Sequence, residues 1–173
     1  HSYIKRKSHE LGALAGFEKS GHFFFNKPIG RGYDDGLIAA IALLKMLDRN
    51  PEKKLSDLRK SLPKTWQSPT MSPKCADEAK YGIVDKVVAE IAARAERGET
   101  IIGQKIRDVV TVNGVRVTAE DGTWGLIRAS SNKPELVVVV ESPASEANMR
   151  AMFETLDAVL RQHPEVGAYN QKL

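Results

Sequence analysis

The chain is 173 residues long, 42% hydrophobic and 28% charged, and its 26 Lys and Arg against 22 Asp and Glu leave a formal net charge of +4. This is ordinary for one or two small globular domains, and no apolar run approaches the length that spans a bilayer. The single cysteine, Cys75, excludes an intrachain disulfide, while bases interleaved with acids and only 6% aromatic residues point to anionic small ligands rather than nucleic acid.

In chain order, His1 is followed at once by an extended segment, Ser2-Tyr3-Ile4, as though the sequence opened in the middle of a domain of a longer parent; no secretory signal pattern precedes it. Residues 1–27 read as two or three short extended segments around a Glu18–His22 loop, the last of them Phe23–Phe25. Asp34 or Asp35 is a good N-cap for an almost wholly apolar helix from Leu37 to Leu47, with Asn50-Pro51 as the stop. Such a helix needs cover on most sides. Leu55, Leu58 and Leu62 suggest a short helix beginning near Ser56, and Pro63, Pro69 and Pro73 punctuate a connection that divides residues 1–65 from 66–173.

Beyond Asp77, the stripe Tyr81, Val84, Val88, Ile91 and Ala95 predicts a helix with Gly98 just past its end. Strand signals follow at Asp108–Val112 and Val115–Ala119, joined by Asn113-Gly114, and at Thr123–Ala129 after Asp121-Gly122. Leu136–Val140 is apolar on both faces and therefore belongs centrally in the sheet. Met149, Met152, Phe153, Leu156, Val159 and Leu160 mark a closing helix that starts at Ser142-Pro143 or Ser145, and residues after Pro164 read as a loose tail. The second part is thus α+β: an antiparallel sheet with helices on one face, its other face free to meet a neighbouring domain.

Two stretches can carry chemistry. In the first, an extended lead-in delivers Arg128, Ser130, Ser131 and Asn132 into a short loop whose exit Pro134 stiffens. A planar guanidinium can bond two oxygens of one phosphate, and the hydroxyls, amide and backbone N–H groups can satisfy the rest. The same residues also suit an ordinary polar hairpin loop. In the second, Glu18, Ser20 and His22 alternate, so an extended backbone points all three one way, toward sugar hydroxyls or simply toward water. No His or Cys pair has metal-ligand spacing, no Gly-rich phosphate loop opens a helix, and there is no nucleophile elbow.

Arg128-Ala-Ser-Ser-Asn-Lys-Pro134 resembles the C-terminal phosphate-binding loop of the α-D-phosphohexomutases, the phosphomannomutases and phosphoglucomutases, and Phe17-Glu-Lys-Ser-Gly-His22 resembles that family's sugar-recognition loop. The two stand in family order, and the resemblance covers nearly the whole chain. It implies the truncated end of an α/β third domain followed by a TATA-binding-protein-like fourth domain. Glu18 and Ser20 would bind sugar hydroxyls, and His22 would lie close to the sugar or its phosphate. His1 would match an active-site histidine, and Arg128, Ser130, Ser131 and Asn132 would hold phosphate. The sequence departs from the family at Phe17, where Gly is common, at Lys19, and at Ser131-Asn132. The family interconverts hexose 1-phosphate and hexose 6-phosphate through a phosphoserine enzyme and a bisphosphate, in the cytoplasm. Its serine and its magnesium-binding Asp-rich loop belong to earlier domains, so the resemblance implies a piece that is inactive alone, with a hexose phosphate and the missing domains as partners. The other reading of the residues is a stand-alone anion- or nucleic-acid-binding α+β module.

Overall fold

Two units divide the chain, His1–Leu62 and Pro63–Leu173, in a computed structural model that describes residues 2–18 and 20–173. In the first unit, Ser2–Glu10 form helix α1 rather than an extended segment. Ile4 and Ser8, one helical turn apart, both face Gly16, where a Cβ would meet Ile4 Cγ2 at 3.0 Å and Ser8 Cβ at 3.5 Å. Arg6 and Lys7 converge on Glu10 at 3.9 and 3.3 Å, the i,i+4 and i,i+3 spacings of a helix surface. Strands β1 (Ala15–Phe17) and β2 (Phe23–Phe25) pair antiparallel, with Phe17 opposite Phe23.

Asp35 caps helix α2 (Gly36–Asp48), accepting the N–H groups of Leu37 and Ile38 at 3.0 and 3.1 Å. Helix α3 (Leu55–Lys60) opens with the Lys54 N–H bonded to Asp57 Oδ2 at 3.1 Å. Among the described residues of this unit only Phe24 is a buried hydrophobic; α2 buries none of its side chains, and Leu37, Ile41, Leu43, Leu44 and Met46 are exposed.

The second unit is a six-stranded antiparallel sheet with two helices. Its elements are β3 (Trp66–Gln67), α4 (Asp77–Glu96), β4 (Thr100–Ile101), β5 (Gln104–Val110), β6 (Val115–Ala119), β7 (Trp124–Ala129), β8 (Leu136–Ser142) and α5 (Glu146–Leu160). The strand order is β3-β8-β7-β6-β5-β4, which puts the wholly apolar β8 inside the sheet. Register places Val115 opposite Ile127, Ile127 opposite Val138, Gly125 opposite Val140 and Ala129 opposite Leu136. These residues face the helices and join the buried side chains of α4 and α5 in one core. Gly125 has no room for a side chain, because Leu156 Cδ1 and Met152 Cγ already occupy the Cβ position. On the opposite face lie Arg116, Trp124, Leu126 and Arg128, with the Arg116 guanidinium 4.8 Å from the Trp124 ring centroid.

Three sequence expectations need correction here. The strand expected at Asp108–Val112 is β5 over Gln104–Val110, interrupted by a bulge between Ile106 and Asp108. Charged residues at 105, 107 and 108 conceal the alternation there, and 111–114 become a loop with Asn113 and Gly114 at φ 55° and 117°. The buried stripe of α4 is Lys80, Ile83, Val84, Val87 and Ile91, so the face is rotated and Tyr81 is exposed. The expected loose tail is tied down: Gly167 N–H donates to the Lys74 carbonyl at 2.8 Å and Lys74 N–H to the Ala168 carbonyl at 3.1 Å. Ser72 N–H donates to Asn170 Oδ1 at 2.8 Å, and Val166 is buried. Tail and segment 70–74 thereby satisfy each other's backbone groups.

Candidate functional site

The phosphate-loop candidate begins where β7 ends. Arg128 is opposite Val137 in the ladder, so its backbone is held by strand pairing on one side. On the other side the β5–β6 turn closes against it: a Cβ on Gly114 would meet the Ile127 carbonyl, and Arg128 Cβ and Cα at 2.7 and 2.9 Å. Only glycine, with its positive φ, fits at that position. The guanidinium is half-buried, donates Nη1 to the Ala129 carbonyl at 3.0 Å, and has no carboxylate partner among the described residues. Four of its five N–H donors therefore remain for an external oxyanion. Ser130, 8% exposed, roots the loop through its N–H to the Glu135 carbonyl at 3.0 Å, whereas Ser131 and Asn132 are exposed.

The loop exit is braced from three directions. Cys75 N–H donates to the Pro134 carbonyl at 3.0 Å, Leu136 N–H to the Pro73 carbonyl at 3.0 Å, and Lys80 Nζ to the Lys133 carbonyl at 3.0 Å. Burial, reinforced by Glu165, pushes the Cys75 thiol above its ordinary pKa, so it is an inert packing group rather than a nucleophile. Nothing in a one-letter reading singles out Lys80; its only signal is the i,i+3 spacing to Asp77.

In the first unit, Glu18–His22 close the β1–β2 hairpin instead of forming the extended run in which alternate residues share a side. Gly21 at φ 90° and its N–H bond to the Glu18 carbonyl at 3.0 Å make the segment a turn. The turn nevertheless brings Ser20 Oγ to 3.3 Å from Glu18 Oε2. His22 Nδ1 meets Asp34 Oδ2 at 2.6 Å. That pairing fixes the imidazole's orientation and leaves Nε2 as its other polar atom. The sequence offered Asp34 only as an alternative helix cap, a role that Asp35 fills; two neighbouring acids where one suffices was the available signal for its contact with His22. His1 lies outside the described residues.

Among the described residues no group of three or more His, Cys, Asp and Glu side chains could hold a metal ion. Nor is any described helix long and apolar enough to cross a membrane.

Comparison with known proteins covers both units. Residues 1–66 match the family model for the phosphoglucomutase/phosphomannomutase alpha/beta/alpha domain III, and residues 74–159 that for the phosphoglucomutase/phosphomannomutase C-terminal domain. A phosphomannomutase/phosphoglucomutase of Pseudomonas putida is 34% identical over 96% of this chain and 33% of its own length. A phosphoglucomutase of Neisseria meningitidis is likewise 34% identical over 96% of this chain and 33% of its own. The crystal structure of a phosphoglucomutase/phosphomannomutase family protein from Burkholderia thailandensis superposes with a TM-score of 0.72 at 28% identity, covering 96% of this chain and 32% of that one. The chain spans about a third of the length of the curated relatives it matches. With both units matched in order, and with the six-stranded sheet and its helices in place, the chain belongs to the phosphoglucomutase/phosphomannomutase family.

Proposed function

We infer that this chain supplies the sugar-recognition and phosphate-binding elements of a cytoplasmic phosphohexomutase, which interconverts hexose 1-phosphate and hexose 6-phosphate through a phosphoserine and a hexose 1,6-bisphosphate. On this reading Arg128 is the principal ligand of the phosphate that is not reacting, with Ser130, Ser131 and Asn132 completing its shell. Glu18 accepts bonds from sugar hydroxyls, and Ser20, whose hydroxyl proton is donated to that carboxylate, accepts from a neighbouring sugar hydroxyl. His22, oriented by Asp34, stands near the sugar or its phosphate, and the resemblance assigns His1 to the same neighbourhood. Magnesium and the phosphoserine are held outside the described residues.

The work of these groups is positioning. Fixing the distal phosphate and the hydroxyls presents the other end of the sugar for transfer, and the gain comes from entropy lost in binding rather than in the transition state. The observation that supports the reading best is Arg128: a half-buried guanidinium on a paired strand, with no carboxylate partner among the described residues. A charge-assisted bidentate bond from it contributes roughly 1.5–3 kcal/mol.

The test is a titration of the isotopically labelled chain with glucose 1-phosphate and with mannose 1-phosphate, followed by amide shifts. Shifts at 128–132 that vanish in Arg128→Ala, and that weaken sharply in Arg128→Lys because an ammonium cannot reproduce the fork, are expected. Identical shifts in wild type and Arg128→Ala would overturn the assignment.

A further inference from the structure

Lys80 is the one buried lysine among the described residues, with 3% of its surface exposed. A lysine is almost never buried unless its ammonium is paired, because removing the charge from water is costly. Here the ammonium has two acceptors: Asp77 Oδ1 at 2.6 Å, one turn back on α4, and the Lys133 carbonyl at 3.0 Å, 53 residues away in the candidate phosphate loop. The same carbonyl also accepts the Glu135 N–H at 2.8 Å, so the Lys133–Pro134 peptide is held from two sides. The bond to Asp77 raises the Lys80 pKa against the opposing effect of burial, so the ammonium stays charged. The Asp77 carboxylate, 63% exposed, keeps its solvation while neutralising the lysine. This linkage joins the start of α4 to the one stretch of the loop that strand pairing does not reach, while Ser131 and Asn132, just before it, are exposed.

We propose that Lys80 is a positioning residue for phosphate: tied to Asp77 and to the Lys133 carbonyl, it holds the loop in the shape that lets Arg128, Ser131 and Asn132 bond one anion. It touches no phosphate itself. The proposal rests on the reading that this loop binds phosphate, and it adds a residue that neither loop motif contains.

The probe is inorganic phosphate, titrated into the labelled chain and followed at the amides of 130–135. Lys80→Met keeps the length of the side chain and removes both bonds; the expected result is a five- to tenfold weaker phosphate affinity and faster amide exchange at Glu135. Ile91→Val provides the control for stability alone. Ile91 is buried on the same helix, roughly 16 Å along its axis from Lys80, and its substitution lowers the melting temperature with phosphate affinity unchanged. Asp77→Asn, at an exposed position, loosens the lysine without emptying the site and is expected to weaken phosphate two- to threefold. It decides the matter if Lys80→Met does not fold. Wild-type affinity in Lys80→Met or, failing that variant, in Asp77→Asn overturns the proposal while leaving the loop assignment intact. Equal affinity in wild type and Arg128→Ala overturns the loop assignment, and with it this proposal.

Discussion

The two units handle apolar surface in opposite ways. In Pro63–Leu173, α4 and α5 close over one face of the sheet, and Val87, Ile91, Val117, Ile127, Val138, Met152 and Leu156 are fully out of water. In His1–Leu62, Phe24 is the only buried hydrophobic among the described residues, and the most apolar helix of the chain carries exposed leucines along its length. At about 25 cal/mol per Å² of apolar surface buried, only the second arrangement offsets the conformational entropy of ordering its own chain. The two candidate loops therefore rest on unequal frames: Arg128 on a strand of a closed core, Glu18 and Ser20 on the tip of a two-stranded hairpin.

The sharpest way to break this comparison is to separate the units. Residues 63–173 alone are expected to unfold cooperatively and to resist protease, and residues 1–62 alone to be cut at once and to show no cooperative transition. A protease-resistant 1–62 would reverse the contrast. The next largest effect is Leu156→Ala. Leu156 is fully buried against the face that Gly125 leaves open, and truncating it costs about 2–5 kcal/mol in a denaturant melt of the whole chain.

A third prediction concerns a turn rather than the core. Asp121 accepts the Thr123 N–H at 2.8 Å, its hydroxyl at 3.0 Å and Asn148 Nδ2 at 2.8 Å, joining the β6–β7 turn to α5. Burial pushes its carboxyl up, but these bonds prevail and hold it below the ordinary aspartate value. A depressed folded pKa means a contribution fully present above the unfolded value of about 4 and lost as pH falls through the folded one. Asp121→Asn is therefore expected to cost roughly 1–3 kcal/mol between pH 5 and 8, with the gap from wild type closing in more acid solution. A gap independent of pH down to pH 2 would remove the carboxylate from the explanation.

Much of the second unit was legible because its signals are local. Asn113-Gly114 takes the positive φ angles that the pair suggests, Ser145 caps α5 through the Asn148 N–H at 3.0 Å, and Gly98 at φ 68° follows the end of α4. What escaped was set by distant partners. The rotated face of α4 depends on Lys80 reaching Lys133, and the ordered tail depends on Ser72 and Lys74, almost a hundred residues upstream. Helix α1 was misread because Ser2-Tyr-Ile looks extended by itself, and its helical face becomes visible only against Gly16. The candidate residues were legible as two loops, but their supports, Asp34 and Lys80, were not. Each is an ordinary polar residue until the fold brings it to His22 or to a backbone carbonyl.

The smallest expected effect sharpens the comparison most. Leu44→Ala removes the same atoms as Leu156→Ala from a helix of similar kind, so the chemistry of the change is held constant and only the surroundings differ. Leu44 is 63% exposed on α2, Leu156 fully buried on α5. A leucine left in water has no cavity to leave behind and little transfer free energy to lose, while alanine has the slightly better helix propensity. Leu44→Ala is therefore expected to change the stability of the 173-residue chain by no more than about 0.5 kcal/mol in either direction. It should leave phosphate-induced shifts at 128–132 untouched. A loss of 2 kcal/mol or more would mean that α2 is covered in solution, and the contrast between the units would then have to be rebuilt around whatever covers it.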